Sequence, residues 1–102
     1  GPERASRINP LIDVIERNIL FTLHSDCPLL SFPLFYLRAV NHITREGNIL
    51  GPEQRCDVET DLRSMIIYSA KPNFDEQHTG SIEVGKQADF AILSEDPTKA
   101  TN

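Results

Sequence analysis

Apolar positions change their period along this chain. Leu11, Val14 and Ile15 recur at helical spacing with Asn18 on the same line, and Ile12 widens the stripe. Asn9 is a good N-cap, and Pro10 suits the first helical position because its missing N–H would be unpaired there. The helix should end near Arg17-Asn18, with Asn18 able to take a left-handed cap. The period then switches to two. Over residues 20–26, Phe21, Leu23 and Ser25 fall on one face and Thr22, His24 and Asp26 on the other, which predicts a strand stopped by Pro28.

Residues 28–33 read as a loop between prolines. A second helix is predicted over residues 33–46, from Leu34, Leu37, Val40 and Ile43, with Arg45 in its last turn and Gly47 ending it. Residues 47–56 form an irregular link through Gly51-Pro52. A third helix is predicted over residues 58–70, with Asp57 as N-cap, Glu59 and Asp61 in the first turn, and Leu62, Met65, Ile66 and Ser69 as its buried stripe. Lys71-Pro72 should end it.

The tail reads as a hairpin over residues 80–93. Residues 81–84 form its first strand, Gly85-Lys86 its turn and residues 88–93 its second strand. Phe90 and Ile92 line one face of that second strand, Ala91 and Leu93 the other. A strand apolar on both faces needs neighbours that a hairpin alone does not supply.

Composition narrows the class. The 102 residues suffice for one small domain, and 39% hydrophobic with 25% charged residues suits a soluble globular chain. A net charge of −5 argues against nucleic acid as a partner, which needs clustered Lys and Arg. No apolar run reaches the roughly 18 residues of a membrane span, and no signal peptide is visible. A cytoplasmic location is the resulting expectation. Cys27 and Cys56 sit in no metal-binding spacing and read as reduced thiols. Gly1-Pro2 in place of Met, and a stop at Asn102 soon after Asp96-Pro97, are what a piece of a longer protein would show.

The segment ending in Asp26 carries the candidate chemistry. An acid at the C-terminal end of a strand is where a parallel β/α barrel keeps its reacting groups. Asp26 could equally cap a turn beside Pro28. His24 shares its face and is either a substrate-contacting or second-layer residue, or a satisfied interior histidine. Cys27 could line the same pocket or simply pack. His42, at the edge of a helix stripe, and His78, in a polar loop, read as surface residues. Lys86 and Asp89 read as hairpin-shaping residues, Cys56 as structural, and Glu53 with Arg55 as a surface pair worth about 0–1 kcal/mol.

Three ordered pieces carry a resemblance. They are Leu23-His24-Ser25-Asp26 with Cys27-Pro28; Leu50-Gly51-Pro52-Glu53-Gln54-Arg55 leading into a helix; and residues 80–90, Gly80-Ser81-Ile82-Glu83-Val84-Gly85-Lys86-Gln87-Ala88-Asp89-Phe90, with Ile92-Leu93 and Asp96-Pro97. The chain closely resembles the C-terminal end of family-3 amidohydrolases, and Arg4 to Pro10 fit too. The resemblance implies an α/β fold: the last strand and helices of a TIM-type β/α barrel over residues 1–70, then a hairpin of the accompanying β-sandwich over 71–102. Alone, the chain would be a small α+β unit. Residues 20–26 would be the eighth barrel strand, and Asp26 would ligate a divalent metal, zinc by preference, and take a proton from the attacking water.

The resemblance further implies hydrolysis of non-peptide carbon–nitrogen bonds in a small amide-type substrate. A catalytic zinc needs about three protein ligands, and the family's His-x-His pair and remaining ligands are not among His24, His42 and His78. The isolated chain should therefore hold no metal and be inactive. Its principal partner would be the missing N-terminal barrel portion, and its bare apolar faces would allow a homo-oligomer. The alternative is a non-catalytic α+β module acting by association. Three residues depart from the family pattern: Asp61 stands where a small apolar helix residue is usual, Cys56 where an aliphatic is common, and Asn18 where glycine is usual.

Overall fold

The structure, a computed structural model, describes residues 1–24, 39–44 and 46–99. Helix α1 spans Pro2–Ala5 and α2 spans Leu11–Glu16. Proline at position 10 occupies the N-cap of α2 instead of its first turn. At the other end Asn18 takes φ 53°, its N–H donates to the Ile15 carbonyl (2.9 Å) and the Ile19 N–H donates to the Val14 carbonyl (3.1 Å). These two bonds around a left-handed residue form a Schellman cap, as Asn18 led us to expect.

The second predicted helix does not reach residue 46. Its first part, residues 33–38, lies outside the described residues. From His42, at φ 52°, the chain turns back on itself. Ile43 pairs with Ile49 in an isolated antiparallel bridge, with Thr44 N–H donating to Asn48 (2.9 Å) and Leu50 N–H to His42 (3.0 Å). Gly47, at φ 83°, makes the turn between them instead of ending a helix.

Residues 50–56 act as a strap. Gly51, at φ 59°, leads into a 3-10 turn at Pro52–Gln54. Buried Gln54 grips α2 with both ends of its carboxamide: its Nε2 donates to Asp13 Oδ1 (3.1 Å) and its Oε1 accepts the Asp13 N–H (3.3 Å). The Arg55 Nε donates to the Asn41 carbonyl (3.1 Å), so Arg55 does not form the expected pair with Glu53. Cys56 donates twice to the Ala39 carbonyl, from N–H (3.1 Å) and Sγ (3.6 Å). Leu11, Ala39 and Cys56 are the centre of the core, with Ile15, Phe21 and Leu23 packed against them.

Helix α3 spans Val58–Met65 and α4 spans Ile67–Ala70, continued by a 3-10 turn at Lys71–Asn73. Asp57 caps α3 as predicted: Oδ1 accepts the Thr60 N–H (2.9 Å) and Oδ2 the Thr60 hydroxyl (2.6 Å). Asp57→Ala should therefore lower stability by about 1 kcal/mol, read as a fall in the urea midpoint at unchanged slope.

The single helix expected over 58–70 breaks at Ile66 (φ −108°, ψ −92°). Two serine hydroxyls compete for backbone carbonyls around the break, Ser64 donating to Asp61 (2.6 Å) and Ser69 to Ser64 (2.8 Å), a pattern that bends helices. The innermost face also differs from the predicted stripe. Asp61 and Ser64 are fully buried, whereas Leu62 and Met65 are half-buried and Ile66 is exposed. Leu62 and Ile66 look instead onto the tail, across a cleft of about 390 Å³ that Ile82, Phe90 and Leu93 also line.

The expected barrel end and sandwich hairpin do not form. Among the described residues there is no strand, only short helices, 3-10 turns and the Ile43–Ile49 bridge. Neither an α/β barrel fragment nor an α+β unit describes what these residues form. The tail keeps its turn: Lys86 N–H donates to Glu83 (3.1 Å), with Gly85 at φ 93°. Its two arms make no ladder, and Ile82, Val84, Phe90 and Ile92 stand exposed. Strand stability comes from neighbouring strands, and a segment apolar on both faces finds none here. The same holds for residues 20–24, which carry strand periodicity without a partner strand among the described residues.

Candidate functional site

The expected site centres on residues 20–26. Its first part keeps the predicted alternation: Phe21 and Leu23 are half-buried, Thr22 and His24 exposed. Phe21 meets the Tyr68 ring edge-on at 6.4 Å, with ring planes 70° apart, and the Lys71 ammonium lies 5.7 Å from the Tyr68 ring centre. Leu20, Phe21, Tyr68, Lys71, Ile15 and Asn18 line a cleft of about 290 Å³ beside this segment. Asp26 and Cys27, the residues on which the chemistry was expected, lie outside the described residues.

Among the described residues, no group of three or more His, Cys, Asp or Glu could hold a metal ion. The described part of the chain does not fit a metal centre by itself. His78 is at the surface as expected, with Nδ1 3.2 Å from Asp75. His42 is not: it is 8% exposed, and its Nδ1 donates to the Leu50 carbonyl (2.9 Å). The Nε2 of His42 is buried with no hydrogen-bond partner among the described residues. Lys86 shapes the tail turn, donating to Ser81 Oγ (2.6 Å) and facing Glu83 at 3.3 Å.

Asp13, Cys56 and Asp61, beside or on the strap, are shifted, each for a visible reason. The hydrogen bond from Gln54, then the one from Arg7, holds the Asp13 carboxyl below the usual range. Burial pushes the Cys56 thiol up to about 12, with the Asp61 and Asp57 charges adding to it. A thiol of that kind is inert as nucleophile or ligand. Asp61 has no exposure and neither carboxylate oxygen has a donor among the described residues. Burial, then the Asp57 charge, raises it to about 6.

Sequence reasoning missed Gln54 and misplaced His42. A glutamine gripping a helix 41 positions away leaves no periodic signal. The polar Asn41-His42 pair at a presumed helix end was the available hint that the chain turns there.

The family model for amidohydrolases matches residues 1–102, the whole chain. The chain belongs to the amidohydrolase family. The chain is also similar to the protein LONG AFTER FAR-RED 3 of Arabidopsis thaliana, 35% identical over 98 residues. The match covers 92% of this chain but 17% of that protein, so the chain spans about one sixth of its curated relative. No solved structure matches it significantly. The amidohydrolase match supports the resemblance read from Leu50 to Arg55 and from Gly80 to Phe90. The roles of those motifs in this structure are architectural: the first straps α2, and the second folds the tail back over α3 and α4. Among the described residues no helix is long and apolar enough to cross a membrane.

Proposed function

We propose that this chain is the C-terminal portion of an amidohydrolase that cleaves non-peptide carbon–nitrogen bonds, and that Asp26 is its contribution to the reaction. The observation that carries the reading is the family match along the full chain. The family is generally metal-dependent, and a bound divalent ion there supplies a nucleophilic water at neutral pH. Because His24, His42 and His78 form no His-x-His pair, we assign the remaining ligands to a part of the protein beyond this chain. Asp26 acts as a carboxylate that accepts a proton from water and passes it to the leaving amine. His24, exposed beside it in sequence, contacts the substrate or the groups around it.

A second observation favours an association role for the rest of the chain. Ile82, Val84, Phe90 and Ile92 expose apolar side chains on a tail that makes no ladder. We assign their cover to the remainder of the longer protein, which leaves the 102 residues alone inactive.

The test is hydrolysis of small N-acyl amino acids and cyclic amides by the full-length protein and by Asp26→Asn. The variant should lose about 10²- to 10⁴-fold in kcat with KM little changed. Equal kcat in both proteins, or no cleavage of any of these amides by the parent, would refute the assignment.

A further inference from the structure

The Asp61 carboxyl is the one departure from the family pattern that the fold places completely inside. It lies in the first turns of α3 with no exposure, and neither of its oxygens meets a donor among the described residues. Its backbone is otherwise engaged: its N–H donates to Asp57 (3.0 Å) and its carbonyl accepts from Ser64 (2.6 Å). Buried charges normally have a partner, since an isolated one is strongly disfavoured.

The surrounding charges do not provide one. Asp57, at the helix cap, has its carboxylate fixed by Thr60 and presents a like charge. Cys56, on the strap, presents a thiol that burial keeps protonated. The cations nearby in sequence or on the next helix are committed elsewhere: Arg55 to Asn41, Arg63 to Glu59 at 2.5 Å, and Lys71 over Tyr68.

We propose that Asp61 is a pH-sensitive latch: the buried arrangement of α3 is the one in which Asp61 carries a proton, and loss of that proton loosens α3 from the core. The neutral carboxyl satisfies itself more readily in an apolar setting than the anion does. A group held protonated in the fold stabilises it fully below its unfolded value, and that stability is lost as pH rises through its folded value. For Asp61 the window runs from the ordinary 3.8 up to about 6. The other shifted carboxyls are all lowered: the effects of Asp13, Asp57 and Asp96 fall below this window, and that of Glu83, lowered from 4.5, reaches only its bottom edge.

The experiment is a carbon-detected NMR titration of the Asp61 carboxyl in the chain, with amide hydrogen exchange of residues 58–70 in parallel, corrected for intrinsic rates. The carboxyl should titrate near 6, and protection of these amides should fall about 30-fold between about pH 4.5 and pH 7.5. In Asp61→Asn the protection should be flat across that range. An Asp61 midpoint in the ordinary carboxylate range overturns the latch, as does a fall in protection that persists in Asp61→Asn. If the variant does not fold, the titration of the unaltered chain decides alone.

Discussion

Gly51→Ala is expected to destabilise the chain by about 2–5 kcal/mol, read from the urea midpoint, while Gly47→Ala should cost about 1 kcal/mol. Both glycines sit at positive φ, 59° and 83°, so both substitutions pay for a backbone conformation that side chains disfavour. They differ in their surroundings. A Cβ on Gly47 meets nothing within 4 Å. A Cβ on Gly51 would stand 2.2 Å from the Ser6 carbonyl oxygen, 3.1 Å from its carbon and 3.3 Å from its Cα. These are backbone atoms just beyond α1, so no side chain can swing aside. The segment after α1 would have to move off the strap.

That movement would reach beyond the contact itself. Gly51 accepts the Gln54 N–H (2.9 Å) and so builds the turn that aims Gln54 at Asp13. If the turn shifts, the paired bonds between Gln54 and Asp13 go with it, and the Asp13 carboxyl returns toward its ordinary value. Equal effects of the two substitutions would show that the close approach of residues 6 and 51 carries no energy. Gly80 is the intermediate case, with a Cβ 3.1 Å from Ala70 Cβ and from Ile67 atoms, where the Ile67 side chain can give way in part.

What could be read in advance divides along physical lines. Local devices were legible because their partners are a few residues away: the left-handed Asn18, the Asp57 cap and the alternation of residues 21–24. The family was legible because motifs such as residues 50–55 and 80–90 survive as strings. The fold class was not. Strand periodicity in residues 20–26 and 80–93 records a preference for neighbours, and no such neighbours form among the described residues. The stripe on α3 was misread by one position because Leu62 and Ile66 do face an apolar surface, the tail cleft, while Asp61 and Ser64 face the core. Periodicity reports that a face is apolar, not which of two packing partners is the deeper. Of the candidate site, His24 could be placed and is exposed, whereas the role of Asp26 rests on the family.

Asp61→Ala should raise stability by about 2 kcal/mol at pH 7.5 and change it little, or lower it slightly, at pH 4. Two contributions set the sign. At neutral pH the unaltered chain must either bury an unpartnered carboxylate or hold a proton that the unfolded chain releases, and a shift from 3.8 to about 6 makes that cost about 3 kcal/mol. Alanine removes the cost and is the better helix former. Against this, it leaves the space of a carboxyl group, a loss of about 1 kcal/mol if the site does not close. At pH 4 the acid is protonated in the fold and half-protonated when unfolded, so most of the first contribution vanishes and the cavity remains. The crossover between the two proteins' stabilities is therefore the signature, and it separates a buried charge from a packing defect. A packing defect alone would make the variant less stable by the same amount at every pH. A helix-propensity gain alone would make it more stable by a few tenths of a kcal/mol throughout. Only a carboxyl whose ionisation is opposed by the fold makes the difference between the two chains grow as pH rises from 4 to about 6 and then level off.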